Sequence, residues 1–183
     1  MTRTGLPPVA PPGTSQHVSV DGKRLEVLWN GPSPSEAPTV AFLHEGLGSA
    51  GLWKDLPARV SESTGLGAIA YSRAGYGHSD SITLPRPLDC MQHEGEHVLP
   101  RLLDSLGIGR AILVGHSDGA SISLVCASRR SILGCVLLAP HVFCEDLSVA
   151  SIEKARDAYT TGDLRTRLAR HHEDICSLAR SVT

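Results

Sequence analysis

The stretch of this sequence best suited to covalent chemistry is Gly115-His116-Ser117-Asp118-Gly119. It follows the apolar run Ala111-Ile112-Leu113-Val114 and opens a segment that reads as a helix. A serine at a sharp strand-to-helix turn stands clear of the sheet, and small residues on either side let strand and helix approach. The N–H of the next residue, Asp118, then points to where a carbonyl oxygen would become negative. Ala120 extends the small-residue run. The chemistry expected is attack by the Ser117 hydroxyl on a carbonyl carbon; the plain alternative is a glycine-rich connection with an idle serine. Phe42-Leu43-His44-Glu45-Gly46-Leu47-Gly48-Ser49 follows another apolar run, and a glycine turn there can offer a second N–H to the same oxyanion.

A serine hydroxyl is a weak nucleophile until a base takes its proton, so the histidines matter. His116 adjoins the serine, but an elbow aims its side chain away from the hydroxyl, and it reads as a packing residue. His44 reads as a brace for the glycine turn. His141 ends an apolar strand and could face the site as a base. His171-His172-Glu173-Asp174 reads as a solvated helix end rather than a metal site. His17, His78, His93 and His97 carry no argued role. Glu145 or Asp146 could hold a histidine as an alternative acid.

The elements that must position these groups follow from periodicity. His17 to Val20 and Leu25 to Trp29 form a hairpin about Asp21-Gly22-Lys23. Thr39 to Leu43, Gly67 to Tyr71, Ala111 to Val114 and Ile132 to Ala139 are buried strands. Between and after them lie helices at Leu52 to Glu62, Asp89 to Leu106 and Ser117 to Ser128, and two pieces over Ser148 to Arg170 broken near Thr161-Gly162. Apolar strands alternating with helices predict an α/β fold, with a mostly parallel sheet covered on both faces. The proline-rich Met1 to Gln16 reads as a disordered arm, and it has no apolar core of a secretory signal.

Composition bounds the function. The chain has 183 residues and a formal net charge of −2, which gives no basic footprint for nucleic acid. Two Trp, three Tyr and two Phe supply little stacking surface. No apolar window is long enough to span a membrane. Five cysteines without a CxxC pair fit a reducing cytoplasm, with Cys126 and Cys135 as buried thiols. No Walker loop or dinucleotide fingerprint is present, so no cofactor is expected.

These motifs, in this order, resemble the α/β-hydrolase fold family, of the soluble esterase-like kind. The resemblance covers about Val18 to Arg170. It rests on Leu43 to Ser49 through Trp53, on Ala70-Tyr71-Ser72-Arg73-Ala74-Gly75-Tyr76-Gly77-His78-Ser79, and on Gly115 to Ala120. It implies Ser117 as the nucleophile, with Gly115, His116 and Gly119 as the elbow around it. It implies the N–H groups of Gly46 and Asp118 as the oxyanion hole. Glu45 stands where many relatives have glycine, and Ser72 where many have aspartate; the latter reads as structural. Residues 17–147 would form the hydrolase core, with strands one to six. Residues 148–183 would begin a helical cap, cut short before strands seven and eight. The family's usual acid and histidine then have no matching positions, and the strand Ile132 to Ala139 would leave an apolar edge prone to self-association.

Two classes of function follow. One is a serine hydrolase of an ester-like bond (carboxylic ester, thioester or carbon–carbon) in a small molecule. The other is a truncated, non-catalytic scaffold of the same fold. A ligand-binding protein that ignores Ser117 is a third.

Overall fold

The computed structural model describes residues 14–143 and 145–173. Six strands form one sheet: β1 (Ser15–Val20), β2 (Lys23–Asn30), β3 (Thr39–Leu43), β4 (Gly67–Tyr71), β5 (Ala111–His116) and β6 (Gly134–Leu138). Their spatial order is β1-β2-β4-β3-β5-β6. β1 and β2 are an antiparallel hairpin, and β2 is antiparallel to β4; the β4-β3, β3-β5 and β5-β6 pairings are parallel. The hairpin turn is the two residues Asp21-Gly22, both at positive φ (51° and 76°), the conformation that matches the twist of paired strands.

Successive side chains of β3 and β4 point to opposite faces, and each face has its own core. Val40, Phe42, Ala68 and Ala70 pack with Trp53 and Val60 on one side. Helix α1 (Leu56–Thr64) covers that face, after a 3-10 turn at Ala50–Trp53. Ala41, Leu43, Ile69 and Tyr71 pack with Leu99, Leu102, Leu103 and Ile122 on the other. That face is covered by α2 (Cys90–His93), a π-helical turn (Glu94–Val98), α3 (Leu99–Ser105) and α4 (Asp118–Arg129). Helices α5 (Asp146–Thr160) and α6 (Leu164–Leu168) follow β6, broken at Thr161-Gly162 as periodicity predicts.

The differences from the expected elements have local causes. Ser15 and Gln16 belong to β1 rather than to an arm; residues 1–13 lie outside the described residues, as does the tail from Cys176. The helix expected from Leu52 is two pieces, because Lys54 sits at φ +53° and breaks the path. The helix expected from Asp89 to Leu106 is continuous in space but carries a π turn. Pro100 has no N–H to return to Glu96, and Gly95 lets the backbone approach α4. A Cβ on Gly95 would lie 2.7 Å from Val125 Cβ and 2.8 Å from the Ile122 carbonyl. The expected burial of both Cys126 and Cys135 is corrected for one: Cys126 is buried, but Cys135 is exposed. It lies on β6, which pairs only with β5 among the described residues and leaves Val136 and Leu138 half exposed.

Candidate active site

Ser117 lies between the end of β5 and the start of α4, with φ +53° and ψ −115°. A non-glycine residue rarely adopts a positive φ, and here the surroundings enforce it. The Ser117 N–H donates to the Leu138 carbonyl at 2.8 Å, which ties the turn to the end of β6. The flanking glycines are required by contact. A Cβ on Gly115 would lie 2.3 Å from the Gly119 carbonyl oxygen, and one on Gly119 would lie 2.1 Å from that of Leu43. Both are backbone atoms that cannot move aside cheaply.

The Ser117 Oγ is 2.6 Å from His141 Nε2. The chain turns at Ala139, at φ +49°, before Pro140 delivers His141. The loop is pinned to α4 by Ser121, whose Oγ accepts the His141 N–H at 2.9 Å and donates to its carbonyl at 3.3 Å. The Asp118 carboxylate stands beside the pair, with Oδ1 3.8 Å from His141 Nε2. Its Oδ2 is 3.6 Å from Arg73 Nη1. Among the described residues no hydrogen bond joins a carboxylate to Nδ1 of His141, and neither Glu145 nor Asp146 holds it.

The facing wall is the turn 45–48, closed by the Gly48 N–H donating to the Glu45 carbonyl at 3.1 Å. Gly46 is the second residue of that turn, so its N–H takes no part in the turn's own bond. A Cβ on Gly46 would lie 3.1 Å from Asp118 Oδ2, which puts the turn and the first residue of α4 side by side. The Asp118 N–H opens α4, where a helix has no internal acceptor to offer. His44 is buried and braces the turn. Its Nδ1–H donates to the Glu45 carbonyl at 2.7 Å, and its Nε2 accepts the Arg73 N–H at 3.1 Å. Burial first, then the Arg73 charge, holds its pKa well below the usual value, so the ring is neutral. Arg73 also donates from Nη2 to the Glu45 carbonyl at 2.9 Å. Ser72 is buried, donating to Glu26 Oε2 at 2.7 Å and accepting the Ala50 N–H at 2.9 Å, a structural position.

These groups open on a cavity of about 780 Å³. Its apolar lining is Leu47 with Leu147, Ile152, Ala155, Leu164 and Leu168 of α5 and α6; Glu45, His116, Ser148 and Ser151 add polar atoms. The packing role expected for His116 is corrected. Its side chain is 47% exposed and lies 3.8 Å from Glu45 Oε2, because the elbow turns it outward along the cavity wall. Sequence reasoning gave His141 as one candidate among several and assigned nothing to Arg73 or Ser121. The spacing of Ser117 and Ser121, one helical turn apart, was the available signal for the latter.

Residues 40–180 match the model of the α/β hydrolase family. The chain belongs to that family. Within it, the chain is 34% identical over 110 residues to the 2-hydroxy-6-oxononadienedioate/2-hydroxy-6-oxononatrienedioate hydrolase of Burkholderia vietnamiensis; the match covers 58% of this chain and 37% of that protein. A carboxylesterase structure from Nitrososphaera gargenis superposes with a TM-score of 0.66 at 19% identity, over 83% of this chain and 57% of its own. The enol-lactonase of Burkholderia xenovorans LB400 gives 0.65 at 19%, over 91% and 72%. The epoxide hydrolase VrEH1 of Vigna radiata gives 0.59 at 26%, over 82% and 46%. The chain thus spans little more than a third of the curated relative it matches. Among the described residues no helix is long and apolar enough to cross a membrane.

Proposed function

We propose that this α/β hydrolase cleaves an uncharged ester-like bond of a small molecule through a Ser117 acyl-enzyme, with His141 as the base. The observation that carries the reading is the 2.6 Å contact between Ser117 Oγ and His141 Nε2 at a positive-φ elbow. In this reaction Ser117 Oγ attacks the carbonyl carbon as its proton passes to His141 Nε2. The N–H groups of Gly46 and Asp118 hold the oxyanion. Collapse breaks the bond to the leaving alkoxide, which takes the proton from His141. Water then attacks the acyl carbonyl and gives a proton to His141, and Ser117 leaves with that proton. The Asp118 carboxylate, at 3.8 Å, stabilises the imidazolium formed in each half.

The substrate class follows from the wall. The cavity is of small-molecule size, and its lining is mostly apolar. The charged groups lining it are Glu45 and Asp118; among the described residues no Lys or Arg does. Asp118 is offset by Arg73, which leaves Glu45 as the net charge. The Burkholderia relative's name gives it dicarboxylate substrates; beside Glu45 such a substrate would meet like charge. An uncharged ester is therefore favoured here.

An uncharged aryl ester mixed with the full chain tests this. A burst of aryl alcohol, with the acyl mass on Ser117 and neither in Ser117→Ala, is the expected result. Turnover that survives Ser117→Ala would overturn the reading.

A further inference from the structure

The charged cluster after α6, read from sequence as a solvated helix end, holds one side chain that is not solvated. His172 is 5% exposed. Both of its ring nitrogens are used, and only one tautomer satisfies both. Nδ1 accepts the Gly77 N–H at 3.0 Å, and the Nε2–H donates to the Leu47 carbonyl at 3.2 Å. The neighbouring Glu173 N–H donates to the Gly77 carbonyl at 2.9 Å, and its carboxylate pairs with His78 Nδ1 at 2.9 Å. Tyr76, Tyr159 and Leu168 form a small buried cluster on the same side. Burial above all, with His171 and His78 adding to it against Glu26 and the bond to Leu47, lowers the His172 pKa to about 4. The ring is neutral near pH 7, as an acceptor at Nδ1 requires.

What the bond to Leu47 touches follows from the peptide unit. The carbonyl of one residue and the N–H of the next share a plane and point in opposite directions. The Leu47 carbonyl is therefore one end of the peptide whose other end is the Gly48 N–H. That N–H donates to the Glu45 carbonyl at 3.1 Å. The Glu45 carbonyl is in turn one end of the peptide whose other end is the Gly46 N–H. Chains of peptides linked in this way polarise one another, each accepted bond strengthening the next donor.

We propose that His172 is a positioning residue that heads a chain of hydrogen-bonded peptides, from Leu47–Gly48 through Glu45–Gly46, ending on the Gly46 N–H. The chain couples docking of the segment after α6 to the aim and strength of that donor. The catalytic half of the inference rests on Gly46 being an oxyanion donor; the structural half does not. Arg73 and His44 hold the Glu45 carbonyl from the core side, and His172 holds the turn from the outer side.

The test uses the full chain in two settings. In a Ser117→Ala background, amide exchange at Gly48 and Gly77 is followed for His172→Gln, which can keep a donor and an acceptor, and for His172→Phe, which keeps the bulk but neither. We expect both amides to lose protection in His172→Phe and to keep most of it in His172→Gln. Unchanged exchange at Gly48 in a folded His172→Phe protein would overturn the proposal. With Ser117 intact, a fluorophosphonate probe should label His172→Phe about tenfold more slowly than wild type, a weakening well short of losing a donor outright. His172→Gln should stay near the wild-type rate. Equal rates in all three proteins would overturn the catalytic half. No labelling in any of them, together with the expected exchange changes, would count against the Ser117 reading and leave the turn-positioning role supported.

Discussion

At the scale of single residues, the site is a set of compromises among charges. Asp118 places its N–H at the start of α4 and its carboxylate beside the His141 imidazole, and Arg73 keeps that carboxylate from being a lone half-buried charge. Among the described residues Glu45 has no such cation, only the exposed His116 at 3.8 Å. A like charge held about 6 Å away across a partly solvated wall costs on the order of 1 kcal/mol. Glu45→Gln should therefore raise kcat/KM for a carboxylate-bearing ester several-fold while leaving an uncharged analogue within about twofold. Equal changes for both substrates would remove the charge argument. The elbow serine, its glycines and the helix behind it were legible in sequence, because the constraint that selects them is local. A turn this tight tolerates no Cβ at Gly115 or Gly119. His172 was not legible: its partners Gly77 and Leu47 are 95 and 125 residues away in sequence, and no local pattern marks a ring that is buried by distant loops.

At the scale of elements, the central strands β3 and β4 announced themselves because each is a short apolar run covered on both faces, as in Val40 to Leu43 and Ala68 to Tyr71. The helix after β4 did not announce its defect. Its π turn arises where Pro100 withholds a donor and Gly95 meets α4, and helical periodicity is blind to both. This gives a prediction of unusual sign. A glycine inside a helix is ordinarily improved by alanine, by roughly 0.5–1 kcal/mol. Here the added Cβ would sit 2.7 Å from Val125 Cβ and 2.8 Å from a backbone carbonyl. Gly95→Ala should instead destabilise by about 1–3 kcal/mol, the usual cost of overpacking. Urea unfolding of the two proteins measures it, and a more stable variant would show that α4 yields at this contact. Because α4 begins directly after Ser117, the proposed nucleophile, the same substitution should also slow labelling of Ser117.

At the scale of the whole molecule, two buried neutral histidines link the segments. His44 joins the turn 45–48 to Arg73, and His172 joins that turn to the segment after α6. Both have pKa values below the ordinary imidazole value of 6.5, His172 at about 4. An unfolded chain binds protons at these sites before the folded one does, so stability rises with pH through that window. The expected profile is full stability above about pH 6.5 and a progressive loss toward pH 4, where the His172 contribution is exhausted. The charged and titratable groups around the two rings are Arg73, Arg86, Tyr76, His78, His171, Glu26 and Glu173. Among them His78 opposes the trend, its pKa raised by the bond to Glu173. Unfolding midpoints measured from pH 7 to pH 4 should fall less steeply in His172→Gln than in wild type. Parallel profiles would mean that His172 titrates alike in both states.

Whether His141 activates Ser117 is read by intact mass after incubation with a fluorophosphonate probe. Circular dichroism on each protein establishes that it is folded. One probe per chain is expected, none in Ser117→Ala, and labelling slowed about 10²–10⁴-fold in His141→Ala, the range expected for loss of a general base. A folded wild-type chain that takes up no probe, or labelling that is indifferent to His141→Ala, would contradict it.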